Sequence, residues 1–149
     1  MKSHRTGFWA GTFVFGLLLG SFGQVFANDA AQSTKPMVAV ETSGFATLDS
    51  AKLASMMQNK DFLLVDVHVP YEGEIDGTDK HIVFYEIADN LDKLPSDKSA
   101  RIVLYCRSGR MSEIAAAELA GLGYTRVSHL AGGMIAWEKA GNAVVDKRP

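Results

Sequence analysis

Two nearly uninterrupted apolar runs constrain the fold of this chain more than any other feature of the sequence. Residues 62–67 read FLLVDV, and residues 101–106 read RIVLYC. A strand with one exposed face alternates apolar and polar residues, whereas unbroken runs of this kind are typical of strands that are covered on both faces. These two runs therefore predict a parallel β-sheet with helices packed on both sides.

Segments with helical patterns alternate with the strands along the rest of the chain. Helices are predicted at residues 50–59, in the segment before Pro95, from Ser112 to the glycines at 121 and 123, and after the glycine pair at 132 and 133; additional strands are predicted at residues 82–85 and 126–130. This alternation indicates the α/β class, as an open parallel sheet of about five strands.

The amino terminus has a different composition from this domain. Lys2, His4 and Arg5 precede a stretch without charged side chains that continues to Ala27. Residues 1–27 are therefore interpreted as a signal peptide or, alternatively, as a retained membrane anchor. Residues 28–42 form a polar linker, and residues 43–145 form the domain. The leading positive charges predict a periplasmic or otherwise exported protein, soluble after cleavage, or anchored to the inner membrane and facing outward if the segment is kept.

Charge and cysteine content exclude some functions. The net charge is −2, and the 15 Lys and Arg residues form no basic cluster, so no nucleic-acid partner is expected. Cys106 is the single cysteine of the chain, and it cannot form an internal disulfide. In an exported protein, an unpaired thiol is either a buried packing group or a reactive one.

The position of Cys106 favours the reactive interpretation. It ends a buried strand, and the short segment from Arg107 to Met111, which contains Gly109 and two arginines, separates it from the next helix. Glycine allows such a loop to curl, so that backbone N–H groups can point inward at an anion near the positive end of the helix dipole. The arginines add positive charge. These features together favour the thiolate, which is the nucleophilic form of cysteine.

Two sequence motifs resemble the single-domain rhodaneses, a family of sulfurtransferases. The first is CRSGRMS, residues 106–112, followed by an alanine-rich helix. The second is VSHLAGGMIAWEKAG, residues 127–141, which is similar to the family's Leu-x-Gly-Gly turn and its tryptophan-bearing helix. LVDVH, residues 64–68, resembles the family's Asp-Val-Arg strand end, with His68 in place of arginine. GEIDGT, residues 73–78, resembles a Gly-His-Ile-Pro-Gly-Ala element, with Glu74 and Asp76 as departures.

The resemblance implies a catalytic cycle in which Cys106 takes a sulfur atom from a small anionic donor such as thiosulfate and carries it as a persulfide. The acceptor would be cyanide in an assay, or a thiol or a protein in the cell. The binding loop would comprise Arg107, Ser108, Gly109, Arg110, Met111 and Ser112. Neither a metal nor an organic cofactor is implied.

Asp66 and His68 are candidate supporting residues, because they lie at the end of the strand that precedes the GEIDGT element. Asp66 is expected to order the strand end, with acid–base work as the alternative. His68 either replaces the usual arginine without further consequence or acts near the site, where an imidazole can change its charge near neutral pH. His81 is expected to be solvated in a loop, whereas His129 and Trp137 are expected to be structural.

Loop length argues against a phosphatase. Related phosphatases resemble this pattern but have a longer loop that ends in arginine, and this chain has Ser112 at the corresponding position. Two other functions remain open beside the sulfurtransferase. The domain could be a persulfide carrier that serves one partner, or a rhodanese-like interaction module without catalysis.

Overall fold

The computed structural model describes residues 44–147 and contains two sheets with three α-helices. The strands are β1 (Ala46–Leu48), β2 (Leu63–Asp66), β3 (Glu74–Ile75), β4 (Lys80–His81), β5 (Ile102–Tyr105), β6 (Val127–Leu130) and β7 (Val144–Val145); the helices are α1 (Ser50–Met57), α2 (Arg110–Gly121) and α3 (Gly133–Lys139). Two 3₁₀ helices, Phe84–Glu86 and Ala88–Lys93, connect β4 to β5. The predicted export segment (1–27) and linker (28–42) lie outside the described residues.

The main sheet has the order β1-β6-β5-β2-β4, and all of its neighbouring strands are parallel. Alternate residues of β2 and β5 enter two separate apolar clusters, one on each face. Helix α2 covers one face, and α1 and α3 cover the other. The predicted α/β class, the parallel sheet of five strands and the helices on both faces are confirmed. Burying both faces explains why these two strands are apolar throughout.

The segment between β4 and β5 differs from the sequence prediction. Residues 82–85 are not a strand. The edge strand of the sheet is β4, which ends just before them. The apolar pattern was misleading here, since the strand residues Lys80 and His81 are exposed while Ile82 is buried. The helix expected before Pro95 is a 3₁₀ helix with a kink at Asn90. The Asn90 side chain donates a hydrogen bond to the carbonyl of Glu86, a local contact that competes with regular helix geometry.

A small antiparallel sheet, β3 with β7, was not predicted and fixes the chain that precedes β3. Gly73 has φ +100°, and a Cβ there would lie 2.8 Å from Val144 Cγ1. The hydroxyl of Tyr71 accepts a hydrogen bond from the amide of Lys147. Residues 71–73 are therefore held at both ends.

Within residues 44–147, no helix has both the length and the apolar character needed to cross a bilayer.

Candidate active site

Cys106 directly follows β5, at the carboxyl edge of the parallel sheet, where α/β folds commonly bind ligands. The residue is buried, with 1% of its surface exposed. Its Sγ accepts a hydrogen bond from the amide of Gly109 at 3.1 Å. The loop thus turns back on the sulfur, as the sequence predicted, and directs one of its N–H groups at it.

The turn depends on Gly109, which has φ +92° and is followed at once by α2. A Cβ at this residue would lie 2.8 Å from the amide nitrogen of Gly132, so the loop also needs the missing side chain for close packing. Helix α2 begins at Arg110, two residues before the predicted start at Ser112. The Ser112 hydroxyl is buried and donates to the carbonyl of Gly109, which ties the first turn of the helix to the loop.

The glycine pair of the second motif packs directly on the Cys106 loop. The amide of Met134 donates to the carbonyl of Cys106 at 2.9 Å, and the amide of Ile135 donates to the carbonyl of Arg107 at 3.0 Å. Gly133 has φ +55°, and a Cβ there would overlap the Cys106 carbonyl. The first amides of α3 therefore hold the backbone of the loop, which only glycine allows at this distance.

The remaining loop side chains differ in exposure. Arg107, Ser108 and Arg110 are exposed, and Met111 is half-buried against the core. Arg107 is not free, because its Nε lies 2.9 Å from Glu72 Oε2. No ion pair involving Arg110 occurs within the described part of the chain. Of the two arginines, Arg110 is thus the unpaired positive charge beside the loop.

Glu72 was missed by sequence reasoning, although it is four residues after His68 and just before the GEIDGT element. Its Oε2 lies 3.5 Å from His68 Nε2, in addition to its contact with Arg107. The carboxylate connects the end of β2 to the Cys106 loop. Its spacing from His68 was the only available signal, because the partner, Arg107, is distant in sequence.

Asp66 lies at the end of β2 and is fully buried. Its Oδ1 accepts a hydrogen bond from the His68 amide at 2.9 Å, so it orders the strand end as expected. Oδ2 has no hydrogen-bond partner, and His81 Nε2 lies 4.0 Å away. Burial raises the pKa of the Asp66 carboxyl to about 6, although the His68 amide and His81 oppose the change.

His81 is exposed, as predicted, but it lies in a strand rather than in a loop. It belongs to β4, and its Nε2 donates to the His68 carbonyl at 2.8 Å. His68 itself is buried, and neither of its ring nitrogens has a hydrogen-bond partner within residues 44–147. The end of β2 therefore carries two buried polar side chains that are only partly satisfied.

His129 supports the loop from β6, in agreement with its predicted structural role. Its Nδ1 lies 3.4 Å from the Ser112 hydroxyl, and its Nε2 lies 3.2 Å from the Thr47 hydroxyl. Burial lowers the pKa of His129, which favours the neutral ring. Trp137 is buried in the core, as predicted, and donates its indole N–H to the carbonyl of Ala143.

A cavity of about 410 Å³ lies at the opposite end of the sheet, lined by residues that include Phe45, Arg101 and Val127. None of the Cys106 loop residues lines it. The described residues also contain no group of three or more His, Cys, Asp or Glu side chains that could hold a metal ion.

Comparison with protein-family models identifies the architecture around Cys106. The model of the rhodanese-like domain matches residues 49–140, which include the Cys106 loop and the glycine pair that packs on it. The chain belongs to the rhodanese-like family. The match lies inside the predicted domain, residues 43–145, whose limits stay a prediction.

Similar proteins of this family include sulfurtransferases. A protein of Allochromatium vinosum described as "Sulfurtransferase" is 36% identical over 102 residues, which cover 66% of this chain and 92% of that protein. The probable adenylyltransferase/sulfurtransferase MoeZ of Mycobacterium tuberculosis is 34% identical over 124 residues, covering 79% of this chain but only 29% of MoeZ. This rhodanese-like chain therefore has sulfurtransferase homologues, one of them of similar extent.

A solved structure of a rhodanese-related protein from Thermoplasma volcanium has the same fold. Its TM-score is 0.58 at 24% identity, with 67% of this chain and 97% of that chain covered.

Proposed function

We propose that this protein is a sulfurtransferase that carries sulfur as a Cys106 persulfide. The observation that carries the proposal is the position of the Cys106 sulfur, which accepts a hydrogen bond from the Gly109 N–H where the loop leads into α2. A helix amino terminus and oriented amides stabilise negative charge on a bound group. The family relationship to sulfurtransferases supports the same reaction.

The proposed reaction has two displacements. The Cys106 thiolate attacks the outer sulfur of thiosulfate or a similar donor, the sulfur–sulfur bond of the donor breaks, and sulfite leaves with the electron pair. The new persulfide is an anion on the outer sulfur. Cyanide or a thiolate then attacks that sulfur, and Cys106 is regenerated as a thiolate. Covalent catalysis of this kind replaces one difficult transfer with two easier ones.

The residues around Cys106 have distinct roles in this scheme. The Gly109 amide stabilises the negative sulfur, and the bonds from Met134 and Ile135 keep the loop backbone in place. Arg110 is exposed beside the loop and attracts an anionic donor. No residue in the scheme requires a metal or an organic cofactor.

A persulfide carrier is the second candidate, and two observations favour it. Cys106 is buried, and Arg107 is already bound by Glu72, so a small anionic donor meets less open positive charge than two free arginines would offer. In that case a protein partner would collect or deliver the sulfur.

Export by residues 1–27 is also part of the proposal, and the mass of the mature amino terminus tests it.

Intact mass spectrometry tests the proposed reaction. The purified protein is measured before and after incubation with thiosulfate, with Cys106→Ser as the control, and again after addition of cyanide. A sulfurtransferase gains one sulfur atom on Cys106, loses it to cyanide and repeats the cycle. A gain without repeated turnover identifies the carrier. A folded protein that gains no sulfur refutes both and leaves an interaction module.

A further inference from the structure

Glu72 is a carboxylate that contacts the Cys106 loop at Arg107. Its Oε2 lies 2.9 Å from Arg107 Nε, within hydrogen-bond distance, and 3.5 Å from His68 Nε2. Both ring nitrogens of His68 lack a hydrogen-bond partner in the part of the chain that the structure describes. The carboxylate is therefore bound by Arg107 and gains no hydrogen bond from the histidine beside it.

The backbone around Glu72 limits how far its carboxylate can move away. Gly73 packs against Val144 with no room for a side chain, and the hydroxyl of Tyr71 accepts the amide of Lys147. The two neighbours of Glu72 are thus anchored to the last strand and the residues that follow it. The Arg107 side chain is 57% exposed and that of Glu72 is 41% exposed, so this is a surface ion pair, but the anchored backbone keeps the Glu72 carboxylate close to Arg107.

This placement changes the charge that a sulfur donor meets. Arg107 immediately follows Cys106, and Glu72 neutralises it. A donor near Arg107 also lies near the Glu72 carboxylate, and repulsion by that carboxylate is about twice as large for a dianion as for a donor of single negative charge at the same distance. Thiosulfate is a dianion, whereas an organic persulfide anion, R–S–S⁻, carries one negative charge on its sulfur.

We propose that Glu72 is a specificity-determining residue, and that it selects organic persulfides over thiosulfate as sulfur donors. The inference rests on the proposed sulfurtransferase function and names its donor class. The Cys106 thiolate attacks the outer sulfur of R–S–S⁻, a bond forms between the two sulfur atoms, and the donor's sulfur–sulfur bond breaks. The thiolate R–S⁻ leaves with the electron pair, the Cys106 persulfide keeps the charge of the transferred sulfur, and no proton is required.

The test compares two donors in single-turnover reactions with the full-chain protein. Rates of Cys106 persulfide formation are measured by intact mass with thiosulfate and with cysteine persulfide, for the wild type and for Glu72→Gln. The amide removes the negative charge and keeps the shape. Glu118→Gln is the matched control, because Glu118 is exposed on α2 and forms no ion pair within residues 44–147. Thermal unfolding verifies that each variant is folded, and Glu72→Ala repeats the comparison with a different side chain.

We expect Glu72→Gln to accelerate the reaction with thiosulfate about 5- to 10-fold and the reaction with cysteine persulfide by less than about 3-fold, with no change in Glu118→Gln. The difference between donors should shrink in about 1 M salt, which screens the carboxylate. If Glu72→Gln accelerates the reactions with both donors equally, or accelerates neither, the inference is overturned. Persulfide formation on Cys106 in the same experiment would still support the proposed sulfurtransferase function. A folded wild type that gains sulfur from neither donor would overturn the proposed function itself.

Discussion

The buried carboxyl of Asp66 should make the protein less stable at neutral pH than it would be with a neutral group in the same place. Asp66 is fully buried, and only one of its two oxygens has a hydrogen-bond partner. Substitution by asparagine removes the charge and keeps an oxygen that can accept the His68 amide. Asp66→Asn should therefore raise the free energy of unfolding.

The magnitude follows from the pKa of this carboxyl, which burial raises from 3.8 to about 6. A raised pKa means that the folded state binds the proton more tightly than the unfolded state. Stability from this group is thus fully present below about pH 4, and it is lost as the pH rises through about 6. At roughly 1.4 kcal/mol for each pH unit between the two values, the loss at neutral pH is about 3 kcal/mol, which Asp66→Asn should recover.

Urea denaturation of the wild type and of Asp66→Asn, at intervals between pH 4 and pH 8, measures this difference. Other carboxyl groups titrate in the same range, but they contribute equally to both proteins and cancel in the comparison. The advantage of the variant should grow from a small value near pH 4 to its maximum above pH 6. A stability difference that does not change with pH, or a variant that is less stable at pH 7, would refute the reasoning.

Three further predictions concern the supports of the site. Gly133→Ala should reduce the rate of persulfide formation more than 100-fold and lower the free energy of unfolding by about 2–4 kcal/mol, because its methyl group overlaps the Cys106 carbonyl. Gly141→Ala is the control: Gly141 has φ +87° but open space around it, so this variant should lose only the stability that backbone strain costs and should keep its activity. Tyr105→Phe removes a buried, hydrogen-bonded hydroxyl and should lower the free energy of unfolding in urea by about 1–3 kcal/mol. An unchanged urea midpoint would contradict this prediction. Burial lowers the pKa of His129, so the stability that this residue contributes should fall as the pH drops below 6.5. The difference in melting temperature between the wild type and His129→Gln should therefore change in favour of the variant below that pH, and a difference that is constant with pH would be the contrary result.

The main sheet and the Cys106 loop were predictable because their signals are local. A strand covered on both faces has to be apolar throughout, and the turn from β5 into α2 requires a residue with positive φ, which Gly109 supplies. The start of α2 was placed at Ser112 because serine is a common cap. The Ser112 side chain instead donates to the Gly109 carbonyl from inside the first turn, so the residue that precedes the helix is Gly109, and the helix begins at Arg110.

The edges of the fold were not predictable for the opposite reason. Strands β1, β3 and β7 have two or three residues each, and their pairing depends on partners that are distant in the sequence. The contact between Glu72 and Arg107 joins residues 35 positions apart. Neither side chain indicates the other, so only the folded chain reveals that one of the two loop arginines is neutralised.

The two glycine motifs that identified the family act as one structural unit. Gly109 turns the Cys106 loop toward α2, and the missing side chain at this residue lets the Gly132 amide approach. Gly133 then lets α3 approach closely enough for the Met134 amide to bind the Cys106 carbonyl. A side chain at Gly109 or Gly133 would separate the two helix starts, and the loop would lose the support that keeps its amide on the sulfur. This shared packing explains in physical terms why the second motif, which carries no reactive group, accompanies the first.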